Sequence, residues 1–162
     1  VRNWRQIGLG VMGIADMLIK MDIRYGSQES LELCGTIAHD ILNFAAYASC
    51  NLAAQKGTFP KYDFHKLNQS DFFLNNLDDK VRAIIARNGL ANSQLLTIAP
   101  TGTLSTMLGI SGGNEQIFAN YYTRKTESLY GKDVEYKVYT PIVKEYKKKN
   151  HPQQFPEDKA FR

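Results

Sequence analysis

The sequence predicts a helix-rich α/β fold, and two stretches carry most of that prediction. Residues 27–57 show a candidate helix cap, a long apolar stripe at helical spacing and a closing glycine. Residues 93–99, SQLLTIA, form an unbroken, partly β-branched apolar run of strand length, which suits a strand buried on both faces. Shorter helical and strand patterns surround these two, and the helical patterns are the more extensive.

Three glycines precede the first helical pattern. Residues 5–16, RQIGLGVMGIAD, contain Gly8, Gly10 and Gly13 at the spacing G-x-G-x-x-G, which is typical of a dinucleotide-binding turn. Such a turn also needs a strand before it and an acidic residue at the end of a second strand about 20 positions later. Residues 1–7 lack a buried-strand pattern, and the later position falls inside the long helix. We therefore expect Gly10 and Gly13 to be helical, and a nicotinamide-dependent dehydrogenase is the weaker alternative.

Two helices are expected in the first third of the chain. The first is short and ends near Met21, and its apolar positions are Val11, Ile14, Ala15 and Leu18. The second is capped by Ser27 and ends at Gly57, and its apolar stripe comprises Leu31, Cys34, Ile37, Ala38, Ile41, Ala45, Ala48 and Leu52. Close packing against another helix is predicted from its small residues, which are Ala45, Ala46, Ala48, Ala53 and Ala54.

The middle of the chain predicts a connection and one further helix. Residues 58–69, TFPKYDFHKLNQ, contain a proline and have mixed polarity, which is typical of a connection. Asp71 or Asp78 could cap the helix that follows, and Gly89 ends it. Farther on, residues 117–126 and 135–139 favour strands, and residues 140–149 favour a helix with Pro141 in its first turn.

The turn that follows the predicted strand is a candidate phosphate-binding site. Pro100 ends the strand, Gly102 permits close approach of a ligand, and Thr103 to Ser105 are expected to be the first helical residues. The free N–H groups and the dipole of a helix N-terminus favour phosphate. The hydroxyl groups of Thr101, Thr103 and Ser105 would add donors without charge, and the turn lacks the lysine of a P-loop. The alternative is a capped turn that binds no ligand.

Composition and charge narrow the function classes. The chain has 162 residues, 43% of them hydrophobic, and a net charge of +4 that is concentrated in the segment KEYKKKNH. A solvated helix end accounts for this segment, so no nucleic-acid partner is expected. No apolar run approaches about 18 residues and no leader is visible, so we expect a cytoplasmic chain with no membrane partner. Since the chain starts directly at Val1, it is expected to be a piece of something longer.

The two cysteines are expected to be structural. Cys34 and Cys50 lie 16 positions apart in the predicted helix, a distance of about 24 Å at 1.5 Å per residue, so they cannot pair. Free thiols fit a reducing compartment. We interpret both as small buried apolar residues.

Several motifs occur in an order that points to one family. The chain contains, in sequence, RQIGLGVMGIADML, YGSQES, ASCNLAAQKGTFP, GLANSQLLTIAPTGTLS and GGNEQIF. In these motifs the chain resembles, along nearly its full length, the catalytic large subunit of ribonucleotide reductases. The similarity is strongest to the adenosylcobalamin-dependent group and its diphosphate-reductase relatives. In that family the segment GLGVMG is expected to belong to a helix beside the barrel.

The resemblance implies a fold, a reaction and a substrate site. The chain would be a C-terminal portion of a ten-stranded α/β barrel, with residues 1–150 in the barrel and residues 151–162 forming a polar tail or linker. The family reduces ribonucleotides to deoxyribonucleotides, for DNA synthesis, through a protein thiyl radical. The matching substrate-phosphate residues are Thr101, Gly102, Thr103, Leu104 and Ser105. No catalytic residue is assigned, because the motif N-x-C-x-E is absent from the sequence, and the isolated segment is expected to be inactive.

The resemblance also implies partners and cofactors for the parent protein. The partners are a ribonucleotide substrate, the remainder of the reductase barrel and further copies of the parent in a homo-oligomer. This segment is expected to bind no metal and no cofactor of its own. Adenosylcobalamin and a metal-containing radical-generating subunit both fit the parent, as do a diphosphate and a triphosphate substrate.

The chain departs from the family pattern at two places. The family usually reads G-(apolar)-E-P-x-F where this chain has residues 113–118, GNEQIF, with Asn114 and Gln116 in place of an apolar residue and proline. Ala91 stands where an arginine is common. An alternative function for the chain as a whole is a non-catalytic structural module that completes a split barrel.

Overall fold

A computed structural model describes residues 2–126 and 134–149, so the tail or linker predicted for residues 151–162 lies outside the described residues. The chain divides into two compact units. Within the described part, the first unit comprises residues 2–10 and 28–97, and the second comprises residues 11–27, 98–126 and 134–149.

Helices dominate the described residues, as the sequence predicts. The first unit contains α2 (Gln28–Lys56), α3 (Phe64–Leu67), α4 (Asp71–Asn76) and α5 (Asp79–Asn88). The second contains α1 (Ile14–Lys20), α6 (Gly102–Leu108), α7 (Pro141–Lys149) and the strands β1 (Tyr121–Thr126) and β2 (Val134–Tyr139). Within the described residues, no helix is at once long enough and apolar enough to cross a membrane.

The long helix α2 begins and ends where the sequence predicts. It starts directly after Ser27 and stops at Lys56, because Gly57 adopts a left-handed φ of 77° that a helix cannot continue through. Its inner face packs against α5, and a core cluster forms from Ala46, Cys50, Phe73 and Ile85. Of the alanines predicted to pack closely, Ala46 and Ala53 are buried, whereas Ala48 and Ala54 are exposed, so the prediction is wrong at those two.

The predicted apolar stripe of α2 is not its buried face. The buried residues of α2 are Ser30, Asn43, Ala46, Ser49, Cys50 and Ala53, none of which belongs to the stripe. The polar members of this face tolerate burial because they are hydrogen-bonded. For example, Ser49 Oγ accepts from the N–H of Ala91 at 3.1 Å, and Asn43 Oδ1 accepts from the N–H of Asp78 at 2.8 Å.

The connection predicted for residues 58–69 contains a helix, so that prediction is wrong in part. Asp63 is the N-cap of α3, and its side chain accepts the N–H of Lys66 at 3.3 Å, which stabilises one helical turn. Asp78 is the N-cap of α5, as proposed, although its side chain makes no capping bond. Gly89 follows the last residue of α5 at a φ of 72° and ends it.

The predicted buried strand at residues 93–99 is instead an extended segment with one short parallel neighbour. The N–H of Ile7 donates to Gln94 O at 3.0 Å, the N–H of Leu9 donates to Leu95 O at 2.9 Å, and the N–H of Thr97 donates back to Leu9 O at 2.9 Å. Burial on both faces is wrong, because the side chain of Ile98 is 78% exposed.

The second unit contains an antiparallel hairpin followed by a helix. Tyr121 of β1 lies opposite Tyr139 of β2, and their rings pack at 5.6 Å. Both strands were expected, although β1 begins at Tyr121 and leaves residues 117–120 outside it. Helix α7 begins at Pro141, as predicted, and buries Ile142 and Val143.

Candidate functional site

The turn into α6 is held in an unusual conformation. Thr101 is the N-cap of α6 and adopts φ 48° and ψ 22°, the left-handed region that β-branched residues rarely occupy. Its side chain makes no capping bond to the helix. Thr101 Oγ1 instead accepts the N–H of Gly113 at 2.8 Å, so a contact 12 positions away holds the turn. A backbone conformation of this kind persists only where neighbouring structure enforces it.

The helix begins earlier than the sequence predicts. Gly102 is its first residue, rather than Thr103, and the first helical hydrogen bond runs from the N–H of Ser105 to Thr101 O at 2.8 Å. Throughout residues 2–126 and 134–149, nothing accepts a hydrogen bond from the N–H groups of Gly102, Thr103 or Leu104. Three adjacent donors at the positive end of a helix are suited to an anion.

The three hydroxyl groups of the turn have different roles. Thr103 is exposed and its hydroxyl is available to a ligand. Thr101 Oγ1 accepts from Gly113 N–H and keeps its own proton for donation. Ser105 is buried, and its Oγ donates to Gly102 O at 3.1 Å, while its contribution to phosphate binding stays a prediction. Its hydroxyl stabilises the first turn of α6.

Gly102 is not required by the fold of the described chain. Its φ lies outside the left-handed region, and a Cβ built on it would have no neighbouring atom within 4 Å. Larger residues would therefore fit here without a clash. The open space at the Cβ position of Gly102 leaves room for a ligand to approach the backbone there.

A glycine-rich loop, residues 109–113, packs against this turn. The N–H of Ile110 donates to Ser105 O at 3.0 Å. A Cβ on Gly112 would lie 3.2 Å from Pro100 O, and one on Gly113 would lie 3.1 Å from Ala99 O. These two glycines are therefore needed for close approach of the loop to the backbone before α6. The close approach involves the backbone atoms Pro100 O and Ala99 O, which no side-chain pattern in the sequence reveals.

The departure of the chain from its family pattern lies next to this loop. The carbonyl oxygen of Asn114 accepts the Tyr25 hydroxyl at 2.8 Å, and the N–H of Glu115 donates to Gly112 O at 3.1 Å. Both contacts use main-chain atoms at residues 112–115, so the change at Asn114 leaves them available. Ala91, the other departure, is buried in the first unit.

The G-x-G-x-x-G glycines are not helical, so that prediction is wrong. Gly8 and Gly10 lie in or next to the extended segment that pairs with residues 94–97, and Gly13 is the left-handed N-cap of α1, with φ 84°. Gly10 instead permits close approach to another backbone segment, because a Cβ on it would lie 2.6 Å from Thr97 O.

The same contacts argue against a dinucleotide site. A Cβ on Gly8 would lie 2.8 Å from Thr97 Cγ2, and the N–H of Gly13 already donates to Ser111 O at 2.9 Å. The side chain of Thr97 therefore fills space that a pyrophosphate would need, and the Gly13 N–H that would bind it already donates to Ser111 O.

The two cysteines differ in burial: Cys50 is buried, as expected, whereas Cys34 is only half-buried. Cys34 and Cys50 are both free and both lie on α2. Burial raises the pKa of the Cys50 thiol to about 11, which disfavours the reactive thiolate. The described residues also contain no group of three or more His, Cys, Asp or Glu side chains that could hold a metal ion.

Comparison with known proteins identifies the family. Residues 1–158 match the model of the ribonucleotide reductase barrel domain. The chain is 32% identical over 145 residues to the ribonucleoside-diphosphate reductase subunit alpha of Chlamydia muridarum, a match that covers 76% of this chain and 14% of the relative.

Two further relatives carry vitamin B12 in their names. The chain is 39% identical over 123 residues to the vitamin B12-dependent ribonucleoside-diphosphate reductase of Thermoplasma acidophilum, covering 76% of the chain and 14% of the relative. It is 36% identical over 124 residues to the enzyme of that name from Mycobacterium tuberculosis, covering 76% and 15%. The chain thus spans about one seventh of the length of these relatives, and it belongs to the ribonucleotide reductase barrel-domain family.

Proposed function

We propose that this chain supplies the substrate-phosphate loop of a ribonucleotide reductase large subunit. The parent protein would reduce ribonucleotides to deoxyribonucleotides by thiyl-radical chemistry, with residues 1–150 as a portion of its barrel and residues 151–162 as a polar tail or linker. Family membership supports ribonucleotide reduction in general, since the relatives are named ribonucleoside-diphosphate reductases.

One observation carries the assignment of the loop. The N–H groups of Gly102, Thr103 and Leu104 are adjacent, point from a helix N-terminus and have no acceptor within the described residues. Phosphate oxygens would accept these hydrogen bonds, and each charge-assisted bond contributes about 1.5–3 kcal/mol. The exposed hydroxyl of Thr103 would add a further donor.

The loop would bind and orient the substrate but would not perform the reduction. Binding energy from the phosphates, remote from the reacting ribose, can hold the sugar in a productive position. We assign no residue of this chain to the radical step, because the motif N-x-C-x-E is absent from the sequence and burial raises the pKa of the Cys50 thiol.

The names of the relatives bear on the cofactor of the parent protein. Relatives named vitamin B12-dependent support adenosylcobalamin as the cofactor of the parent, while other relatives have names that state no cofactor.

A second candidate function is a structural module that completes a barrel formed by another polypeptide. Exposed large apolar side chains favour it, among them Phe44, Ile98 and Met107. Surface of this kind is typical of an interface that other protein covers. The two functions differ in whether ligand reaches the α6 turn.

A crystal structure of the parent large subunit with a bound ribonucleoside diphosphate tests the proposal. We expect phosphate oxygens within hydrogen-bond distance of the N–H groups of Gly102, Thr103 and Leu104. Phosphates bound at another place, with these three groups facing protein atoms, would contradict the proposal and favour the structural module.

A further inference from the structure

We propose that Asp16 is a positioning residue for the phosphate-binding turn. Its carboxylate holds the 109–113 loop, and that loop holds Thr101 in its left-handed conformation. This inference rests on the proposed function of the α6 turn.

Asp16 binds the 109–113 loop at Ser111. It lies in the first turn of α1, is 7% exposed, and its Oδ2 accepts the N–H of Ser111 at 2.5 Å. The N–H of Gly13 donates to Ser111 O at 2.9 Å. Both backbone groups of Ser111 are therefore fixed by the beginning of α1. A bond from a backbone N–H to a carboxylate is stronger than one between neutral groups.

The loop passes this restraint to the phosphate-binding turn on both sides of Ser111. One residue earlier, the N–H of Ile110 donates to Ser105 O at 3.0 Å. Two residues later, the N–H of Gly113 donates to Thr101 Oγ1 at 2.8 Å. Two hydrogen bonds, joined by the loop backbone between Ser111 and Gly113, thus link the Asp16 carboxylate to the N-cap of α6.

The cost of burying Asp16 argues for a specific role. A buried carboxylate is unfavourable unless hydrogen bonds compensate, and its compensating partner is the loop N–H. Thr101, at φ 48°, is also in a conformation that must be enforced from outside. Weakening the Asp16 bond should let the loop and then Thr101 relax, so the three free N–H groups would no longer be preorganised for phosphate.

The test uses the parent large subunit with Asp16→Asn and Asp16→Ala. Dissociation constants are measured for a ribonucleoside diphosphate and, by competition, for the same ribonucleoside without phosphates. We expect Asp16→Ala to raise the diphosphate constant by roughly tenfold and Asp16→Asn, whose amide oxygen still accepts, by about threefold. Neither variant should change the nucleoside constant. Turnover at saturating substrate should fall less than affinity does.

A matched control comes from another helix. Asp71 also lies in the first turn of its helix, α4, but is exposed, so Asp71→Asn should change neither constant. Asp16→Asn keeps the size of the side chain. If Asp16→Ala does not fold, the two dissociation constants of Asp16→Asn alone test the positioning role. An unchanged diphosphate constant in Asp16→Asn, or an equal loss for both ligands, would overturn the positioning role.

Gly102→Val separates this inference from the proposed function. If Gly102→Val weakens diphosphate binding and Asp16→Asn does not, the phosphate loop stands and the role of Asp16 is wrong. If Gly102→Val leaves diphosphate binding unchanged, the phosphate assignment itself is wrong, and the inference about Asp16 falls with it.

Discussion

Thr101 Oγ1 accepts a hydrogen bond from the N–H of Gly113 at 2.8 Å, while Thr101 itself occupies the left-handed region at φ 48°. A side chain at a helix N-cap usually accepts an N–H of its own helix. Here it accepts one from a separate loop, so the first N–H groups of α6 are left for another acceptor. The hydrogen bond between Thr101 and Gly113 therefore both holds the turn and leaves the first N–H groups of α6 without a capping side chain.

Thr101→Val should release the glycine-rich loop. Valine matches threonine in shape but cannot accept the N–H of Gly113, which is buried. An unsatisfied buried N–H costs about 1–3 kcal/mol. In the parent subunit, hydrogen exchange at the Gly113 amide should accelerate by roughly tenfold or more, whereas Thr101→Ser should retain protection. Equal protection in both variants would show that this bond does not hold the loop.

Gly10→Ala should destabilise the first unit. The new Cβ would lie 2.6 Å from Thr97 O, a backbone atom, so the paired segments would have to separate. Overpacking of this kind costs about 1–3 kcal/mol. Gly35→Ala is the matched control, because Gly35 lies within α2 with no atom within 4 Å of its Cβ position. That substitution should stabilise the helix by about 0.5–1 kcal/mol in chemical denaturation. Equal effects of the two changes would contradict the packing described for Gly10.

Stability should fall at alkaline pH. Burial raises the pKa of the Cys50 thiol from 9.0 to about 11, and burial followed by the charge of Cys50 raises the pKa of Tyr62 from 10.0 to about 12. The unfolded chain loses these protons first, so the free energy of unfolding decreases as pH rises from about 9 to about 12. Cys50→Ala should remove the part of this decrease between about 9 and 11. Denaturant unfolding at a series of pH values measures the slope, and an unaltered slope in Cys50→Ala would contradict the assignment.

The isolated 162-residue chain should self-associate and lack reductase activity. Large apolar side chains are exposed in both units, including Phe44 at 73% and Met107 at 78%. Exposed apolar surface of this extent promotes association. Light scattering over a concentration series should show a rising average mass, and assays with a dithiol reductant should show no turnover. A monodisperse monomer, or turnover above background, would contradict these expectations.

Local signals in the sequence were sufficient for several helix ends and for the presence of a turn before α6, whereas the binding role of that turn stays a prediction. Gly57, Gly89 and Pro141 mark boundaries because their backbone preferences act on their own residues. The turn at residues 101–105 was located for the same reason. Its contacts were not, since Gly113 is 12 positions from Thr101 and Ser111 is 95 positions from Asp16.

Burial was harder to predict than element type. Apolar periodicity selected the wrong face of α2, because Asn43 and Ser49 are buried through hydrogen bonds with residues 78 and 91. It also missed the extended segment at residues 7–9. Alternating glycines give that segment no apolar pattern, although they are what permits its close approach to Thr97.

The most direct measurement of the central claim is the steady-state kinetics of Gly102→Val in the parent reductase, with Gly35→Val as the control. Both glycines have open space at the Cβ position, but only Gly102 lies among the free N–H groups. We predict that Gly102→Val raises KM for the ribonucleotide by tenfold or more, since blocking even one charge-assisted bond costs about 1.5–3 kcal/mol. Ser105→Ala should have a smaller effect, and Gly35→Val should have none. Unchanged KM and kcat in Gly102→Val would show that the substrate phosphates do not bind at this turn.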